Sequence, residues 1–178
     1  MAPRAVGECV SEYSIRGATV ADTAAINDIY NHYVRTSTAT FDTEEMAFER
    51  RLEWFAEHTG LHPALVACDP VGAVVGWGSL SPWGSRCAYA RSVEISIYVA
   101  PGAVGRGIGP ELTQALLEQA RRLGHHAIIS QIVHDNDLSL AMASRAGFEH
   151  VGRLVQVGRK FDRWLDVILM EYLIHERG

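Results

Sequence analysis

The sequence lacks most of the features that announce a function quickly. It has only three cysteines, Cys9, Cys68 and Cys87, an odd set without metal-ligand spacing. They read as reduced thiols and point to a cytoplasmic protein. Positive charge is not in excess: 16 Lys and Arg stand against 21 Asp and Glu, for a net charge of −5. With no general basic field, nucleic acid is not an expected partner. Nor is a membrane, since no apolar run reaches about eighteen residues. The opening MAPRAVGECVSEY has no apolar stretch long enough for a secretory signal. It reads as a flexible tail over 1–11, followed by a single domain over 12–178. His125 and His126 are adjacent but isolated from other ligands, which reads as an exposed loop pair, and no metal is expected. No repeat, low-complexity segment or interdomain linker interrupts the chain.

What is present is an ordinary globular composition, 48% hydrophobic and 21% charged over 178 residues, enough for one buried core. EYSIRGAT alternates like a short strand. Thr19 or Asp22 can cap the following segment, where Ala25, Ile26, Ile29, Tyr30 and Tyr33 recur at helical spacing. A second helix is expected over 44–58 with Phe48, Leu52 and Phe55 on one side. HPALVACD and AVVGWGSLS form a hairpin around the PVG turn (70–72). SVEISIYVA is the clearest strand, ended by Pro101. A helix over about 109–123, a strand HAIISQIV and a short helix ended by Gly147 follow. Two strands, about 148–157 and 164–173, finish the chain. The order β-α-α-β-β-β-α-β-α-β-β describes an α/β (α+β) domain with a mixed, mainly antiparallel sheet flanked by helices.

Chemistry concentrates in YVAPGAVGRGIGPEL (98–112). It is not a Walker loop, because no Lys and Ser/Thr follow Gly107. Gly105, Gly107 and Gly109 give GxGxG rather than the dinucleotide spacing, and they come late in the chain. Two readings remain. The glycines serve a tight turn, or they let successive N–H groups meet an anion at a helix start, where Pro110 suits the first turn. Glu94 interrupts an apolar strand; it faces solvent at an edge, or it is partnered and used. Asn136 stands at the start of a helix, as a cap or as something more.

Together these residues resemble the GNAT superfamily of N-acetyltransferases, and most closely its phosphinothricin acetyltransferase-like branch. The shared strings are NHYVRTSTATF (31–41), HPALVA (62–67), VVGWGSLSPW (74–83), AYARSVEISIYV (88–99), GRGIG (105–109) and VGRKFDRWLDV (157–167). They span about residues 13–173 in family order. The family pattern [QR]xxGxG/A would fall on 104–109, with Val104 in place of its polar first residue. Ala143 stands where this branch usually has His and other branches Tyr.

The resemblance implies acetyl-CoA as cosubstrate, with its pyrophosphate on Gly105, Arg106, Gly107, Ile108, Gly109 and Pro110, and with Asn136 beside it. The pantetheine arm would pair with backbone at Ile97, Tyr98 and Val99, where the fourth and fifth strands splay. Glu94 would act as general base on the acceptor amine, directly or through water. A backbone N–H near Tyr98 would polarise the thioester. The acceptor would be a small amino acid or analogue, of the phosphinothricin, methionine sulfoximine or methionine sulfone type, acetylated on its α-amine. Arg86 would meet its carboxylate, while Glu94, Ile95 and Ser96 line its pocket. Arg91 and Lys160 are further candidates, Trp83, Tyr89 and Trp164 possible walls, and TSTATF (36–41) a covering loop. Ala143 cannot protonate the leaving thiolate, which raises two alternatives: a CoA-binding module with weak or lost catalysis, or transfer to another amine such as a protein N-terminus, polyamine or aminoglycoside. The family commonly forms homodimers.

Overall fold

The structure is a computed structural model that describes residues 13–174. The expected tail over 1–11 lies outside the described residues. The elements run β1 (Ser14–Gly17), α1 (Thr23–Thr36), α2 (Phe48–Glu57), β2 (Ala64–Cys68), β3 (Val74–Pro82), β4 (Ser92–Val99), α3 (Ile108–Arg122), β5 (Ala127–Val133), α4 (Asp137–Arg145), β6 (Glu149–Lys160) and β7 (Arg163–Leu173). This is the order read from the sequence. One seven-stranded sheet forms in the order β1-β2-β3-β4-β5-β7-β6, with only β4 and β5 parallel.

Period-two alternation in β4 sends its residues to two cores. Val93 and Ile95 join Leu112, Leu116 and Ile128 under α3. Tyr98 lies on the other face with Ile26, Ile29 and Trp77, under α1. α3 lies close on the sheet because Gly78 has no side chain. A Cβ there would come within 2.8 Å of Leu116 Cδ1 and Ile97 Cδ1, and 2.9 Å of the Ser96 carbonyl. Gly78→Ala should therefore destabilise the protein by about 1–3 kcal/mol, read as a lowered midpoint in denaturant with unchanged slope.

The second helix departs from its expected span. It begins at Phe48, because 44–47 are held out of the helix. Asn31 accepts from the Met46 N–H at 2.8 Å, and the Asn27 and Asn31 amides both donate to its carbonyl at 3.0 Å. The inward face also differs. Phe48 is 43% exposed, whereas Arg51 is 1% exposed. Its guanidinium lies 4.7 Å from the ring centroids of both Tyr30 and Trp54, and Nε donates to Asn27 Oδ1. Aromatic faces thus replace the apolar contacts expected there. His125 is a second correction. It is buried rather than exposed, with Nε2 bonded to the Leu61 carbonyl at 2.7 Å, while His126 is exposed. The last hairpin is longer than expected, β6 reaching Lys160 before a turn with Phe161 and Asp162 at φ of 49° and 58°.

The decisive feature is a fork in the sheet. β4 pairs with β5 only over Ser92, Val93 and Glu94. Beyond Glu94, β5 stays with β7 while β4 continues with β3. The edge of β4 from Ile95 to Val99 therefore faces a gap instead of a strand.

Candidate active site

Two neighbouring cavities fill the fork. One, of about 450 Å³, runs from the glycine turn along Ile97–Val99 to α4. The other, of about 420 Å³, opens on the far side around Glu94 and Ser96. Ile97, Tyr98, Asn136, Ser139 and Met142 border both, so the two adjoin along the open edge of β4.

The glycines at the first end have distinct roles. Gly105 and Gly107 both take φ of +86°, a left-handed conformation that side chains resist, and a Cβ on either would point into open space. Gly107 is the residue before the first turn of α3, whose N–H groups and dipole face the turn. Gly109 serves packing instead, since a Cβ there would lie 2.9 Å from Met142 Sδ. Ile108 is fully buried in the α3 core, so what it offers the cavity is backbone. Pro110 and Val104 also line this cavity. Arg106 is exposed, and its side chain is not part of the wall.

Asn136 caps α4 by accepting from the Ser139 N–H at 3.1 Å, and it also borders both cavities. Of the expected strand backbone, the Val99 carbonyl is already bonded by the Tyr33 hydroxyl at 2.6 Å.

Glu94 sits where the fork opens. It is half-buried and borders the second cavity. Burial pushes its pKa above the ordinary carboxylate value, partly offset by Gln131, whose Nε2 donates to Oε1 at 3.0 Å. Gln131 escaped the sequence reading because an amide on a strand carries no signal of its own. Ile95 and Ser96 border the same cavity. Ala143 lies in its wall, 5% exposed, beside Phe148 and Val167, so no acid occupies that position.

A loop covers this second chamber. Thr38, Ala39, Thr40 and Phe41 form part of its wall. Tyr30 bonds Thr40 Oγ1 at 2.8 Å and Asp42 at 2.6 Å, and Lys160 donates to the Thr40 carbonyl at 2.8 Å. Phe41 packs on Gly158, where a Cβ would run into its ring. Lys160, a candidate for binding the acceptor, is thus spent on holding the loop. Arg91 is bonded to the Gly124 carbonyl at 2.9 Å. Arg86 precedes a short 3-10 turn, is exposed, and is not brought to the chamber. Among the described residues, no Lys or Arg lines the chamber. Trp83, Tyr89 and Trp164 do not line it either.

A glycine turn at a helix start, a strand edge without a neighbour and a carboxylate at the fork thus line the two cavities. Comparison with known proteins identifies the family. The chain belongs to the acetyltransferase (GNAT) family, whose model matches residues 26–148. It is an acetyl-CoA-dependent N-acetyltransferase. It is 39% identical to a phosphinothricin N-acetyltransferase of Streptomyces coelicolor, over 90% of this chain and 96% of that one. It is 40% identical to an L-methionine sulfoximine/L-methionine sulfone acetyltransferase of Pseudomonas paraeruginosa, over 89% and 92%. The crystal structure of a phosphinothricin acetyltransferase from Sinorhizobium meliloti in complex with acetyl-CoA superposes with a TM-score of 0.87 at 33% identity, covering 92% of this chain and 89% of that one. Among the described residues no helix is long and apolar enough to cross a membrane.

Proposed function

We propose that the enzyme acetylates the α-amine of a small amino acid or amino-acid analogue, with Glu94 as general base. The observation that carries this reading is the position of Glu94, where the fork opens and on the wall of the second cavity, with a pKa raised by burial. Acetyl-CoA supplies an activated acyl group and a thiol leaving group. Gly105, Gly107 and the first turn of α3 hold its pyrophosphate, and the open edge of β4 orients its arm. An acceptor amine is an ammonium at neutral pH and has no lone pair until a base takes a proton. Glu94 takes that proton, and a backbone N–H near Tyr98 meets the developing oxyanion. The acceptor carboxylate is received by hydroxyl and amide groups of the chamber, among them Ser96 and the second N–H of the Gln131 amide. Phe148, Leu154, Val157 and Val167 offer an apolar wall to its side chain. Turnover of an amino acid at least tenfold faster than its decarboxylated amine supports this assignment, and the reverse preference refutes it.

Ala143 leaves thiolate release without a side-chain acid. A thiol of pKa about 8.5 departs tolerably alone, so the loss slows turnover without stopping it. Ala143→His should raise kcat severalfold with KM little changed, as measured by thiol release; an unchanged kcat counts against the role. The exposed Val151, Val155, Phe161 and Trp164 of the β6–β7 hairpin fit a homodimer interface, which sedimentation would test. Free Cys68 and Cys87 and the need for acetyl-CoA suit a cytoplasmic enzyme.

A further inference from the structure

The far side of Glu94 holds a pair of residues that the reaction so far leaves unused. Ser81 of β3 is directly opposite Glu94 in the antiparallel register. Such partners have Cβ atoms about 4.5–5.5 Å apart on one face of the sheet, within reach of a Glu side chain. Glu94 Oε1 accepts from Gln131 of β5, and no hydrogen bond engages Oε2. Beyond Ser81 lies His58, just after α2, with Nε2 2.9 Å from Ser81 Oγ. Its other nitrogen, Nδ1, is 2.7 Å from the Trp54 carbonyl. The ring is buried and stacked on Trp54 with centroids 3.9 Å apart.

These contacts fix the direction of every hydrogen. A carbonyl can only accept, so Nδ1 carries the proton and donates to Trp54. Nε2 of the neutral ring is then an acceptor, so the Ser81 hydroxyl must donate to it. The Ser81 oxygen is left with lone pairs only, free to accept from a protonated Glu94. Ser81 and His58 thus form a polarised pair that leads away from the chamber; Glu94, opposite Ser81 in register and not bonded to it in the structure, joins the pair when its protonated carboxyl swings across to the Ser81 oxygen.

We propose that Ser81 and His58 carry the proton from Glu94 out of the active site after each turnover, restoring the base. The inference rests on Glu94 being that base. In the step, the Glu94 O–H bond breaks as a new O–H bond forms on Ser81. The original Ser81 O–H bond breaks as Nε2–H forms on His58. Glu94 returns to the carboxylate and His58 becomes an imidazolium, which then yields its proton to water. Burial lowers the His58 pKa and raises that of Glu94, so the two ends of the chain approach each other in proton affinity. The other groups facing His58 are Arg51 and His62, which disfavour its charge, and Glu57, which favours it. Ser81 and His58 touch neither reactant cavity and are positioning residues in this scheme.

The test is steady-state acetylation of methionine sulfone across pH 6 to 9, in water and in D2O, with Ser81→Ala, Ser81→Thr, His58→Gln and Glu94→Gln. Ser81→Ala and His58→Gln should each lower kcat about tenfold with both KM values within about twofold. Ser81→Thr, which keeps the hydroxyl, should recover the wild-type rate. The wild-type rate should fall along a curve with D2O fraction, as for several protons in motion, and the Ser81→Ala rate along a line. Wild-type kcat in both Ser81→Ala and His58→Gln overturns the relay. So does a loss that Ser81→Thr fails to restore while the D2O curve stays unchanged. If Glu94→Gln also keeps the wild-type rate, the failure lies in the assignment of the base itself; if it alone loses activity, only the relay is wrong.

Discussion

Glu94→Gln lowers kcat by about a hundredfold or more while leaving KM for acetyl-CoA near the wild-type value. The amide keeps the size of the carboxylate and can still meet Gln131, but it cannot accept a proton. Nothing in the glycine turn or along Ile97–Val99 depends on it, so cosubstrate binding should persist. The pH profile gives a second signature. Burial raises the Glu94 pKa, so the proton-free form is lost on descending through a value above the ordinary carboxylate pKa of about 4.3. Wild-type kcat/KM should therefore fall on the acid side along that limb, and in Glu94→Gln the limb should be absent. Activity near wild type, or an unchanged acid limb, would remove Glu94 from the chemistry.

Gly107→Val raises KM for acetyl-CoA about a hundredfold, with kcat at saturation and KM for the acceptor much less affected. Gly107 holds φ of +86°, a region that costs a β-branched residue about 1–2 kcal/mol. A valine turn relaxes away from this conformation in the free protein, and binding must restore it. The added methyl groups also occupy the open space above the turn, where the pyrophosphate has to approach the N–H groups. Losing one such hydrogen bond to a charged group costs about a further 1.5–3 kcal/mol. The sum, about 2.5–5 kcal/mol, makes a hundredfold the lower end of the expected loss. Calorimetric titration with coenzyme A reads the loss directly. Gly109→Ala is the contrast: its Cβ meets Met142 rather than open space, so its first effect should be on stability.

Much of the architecture was legible because each element carries its own period. β4 alternates cleanly, α1 repeats at helical spacing, and Gly147 marks the end of α4 with φ of +94°. The glycine turn was legible as either a tight turn or an anion seat, and Gly105 and Gly107, both at φ of +86° beneath open space, suit both. What the sequence could not show depends on partners distant along the chain. Arg51 looks like a surface residue until Tyr30 and Trp54 close around it. Residues 44–47 look helical until Asn27 and Asn31 claim Met46. Lys160 looks like a free cation until the covering loop arrives at its tip. Arg86 looked suited to a carboxylate from its place before the Glu94 strand, but the turn that follows leaves it away from the chamber. The Ser81–His58 pair left no trace in the pattern, because serine on a strand and histidine after a helix are both commonplace until the sheet register sets Ser81 opposite Glu94.

The central claim is that the fork joins an acetyl-CoA channel to a chamber built for an amino-acid α-amine. Incubating the enzyme with acetyl-CoA and a panel of amino acids, their analogues and simple amines, with products identified by mass, tests it most directly. The account predicts a single acetyl group on the α-nitrogen of small amino acids or analogues such as methionine sulfone. Acetylation of simple amines or polyamines in preference to them, or none of the panel at all despite tight coenzyme A binding, would contradict it.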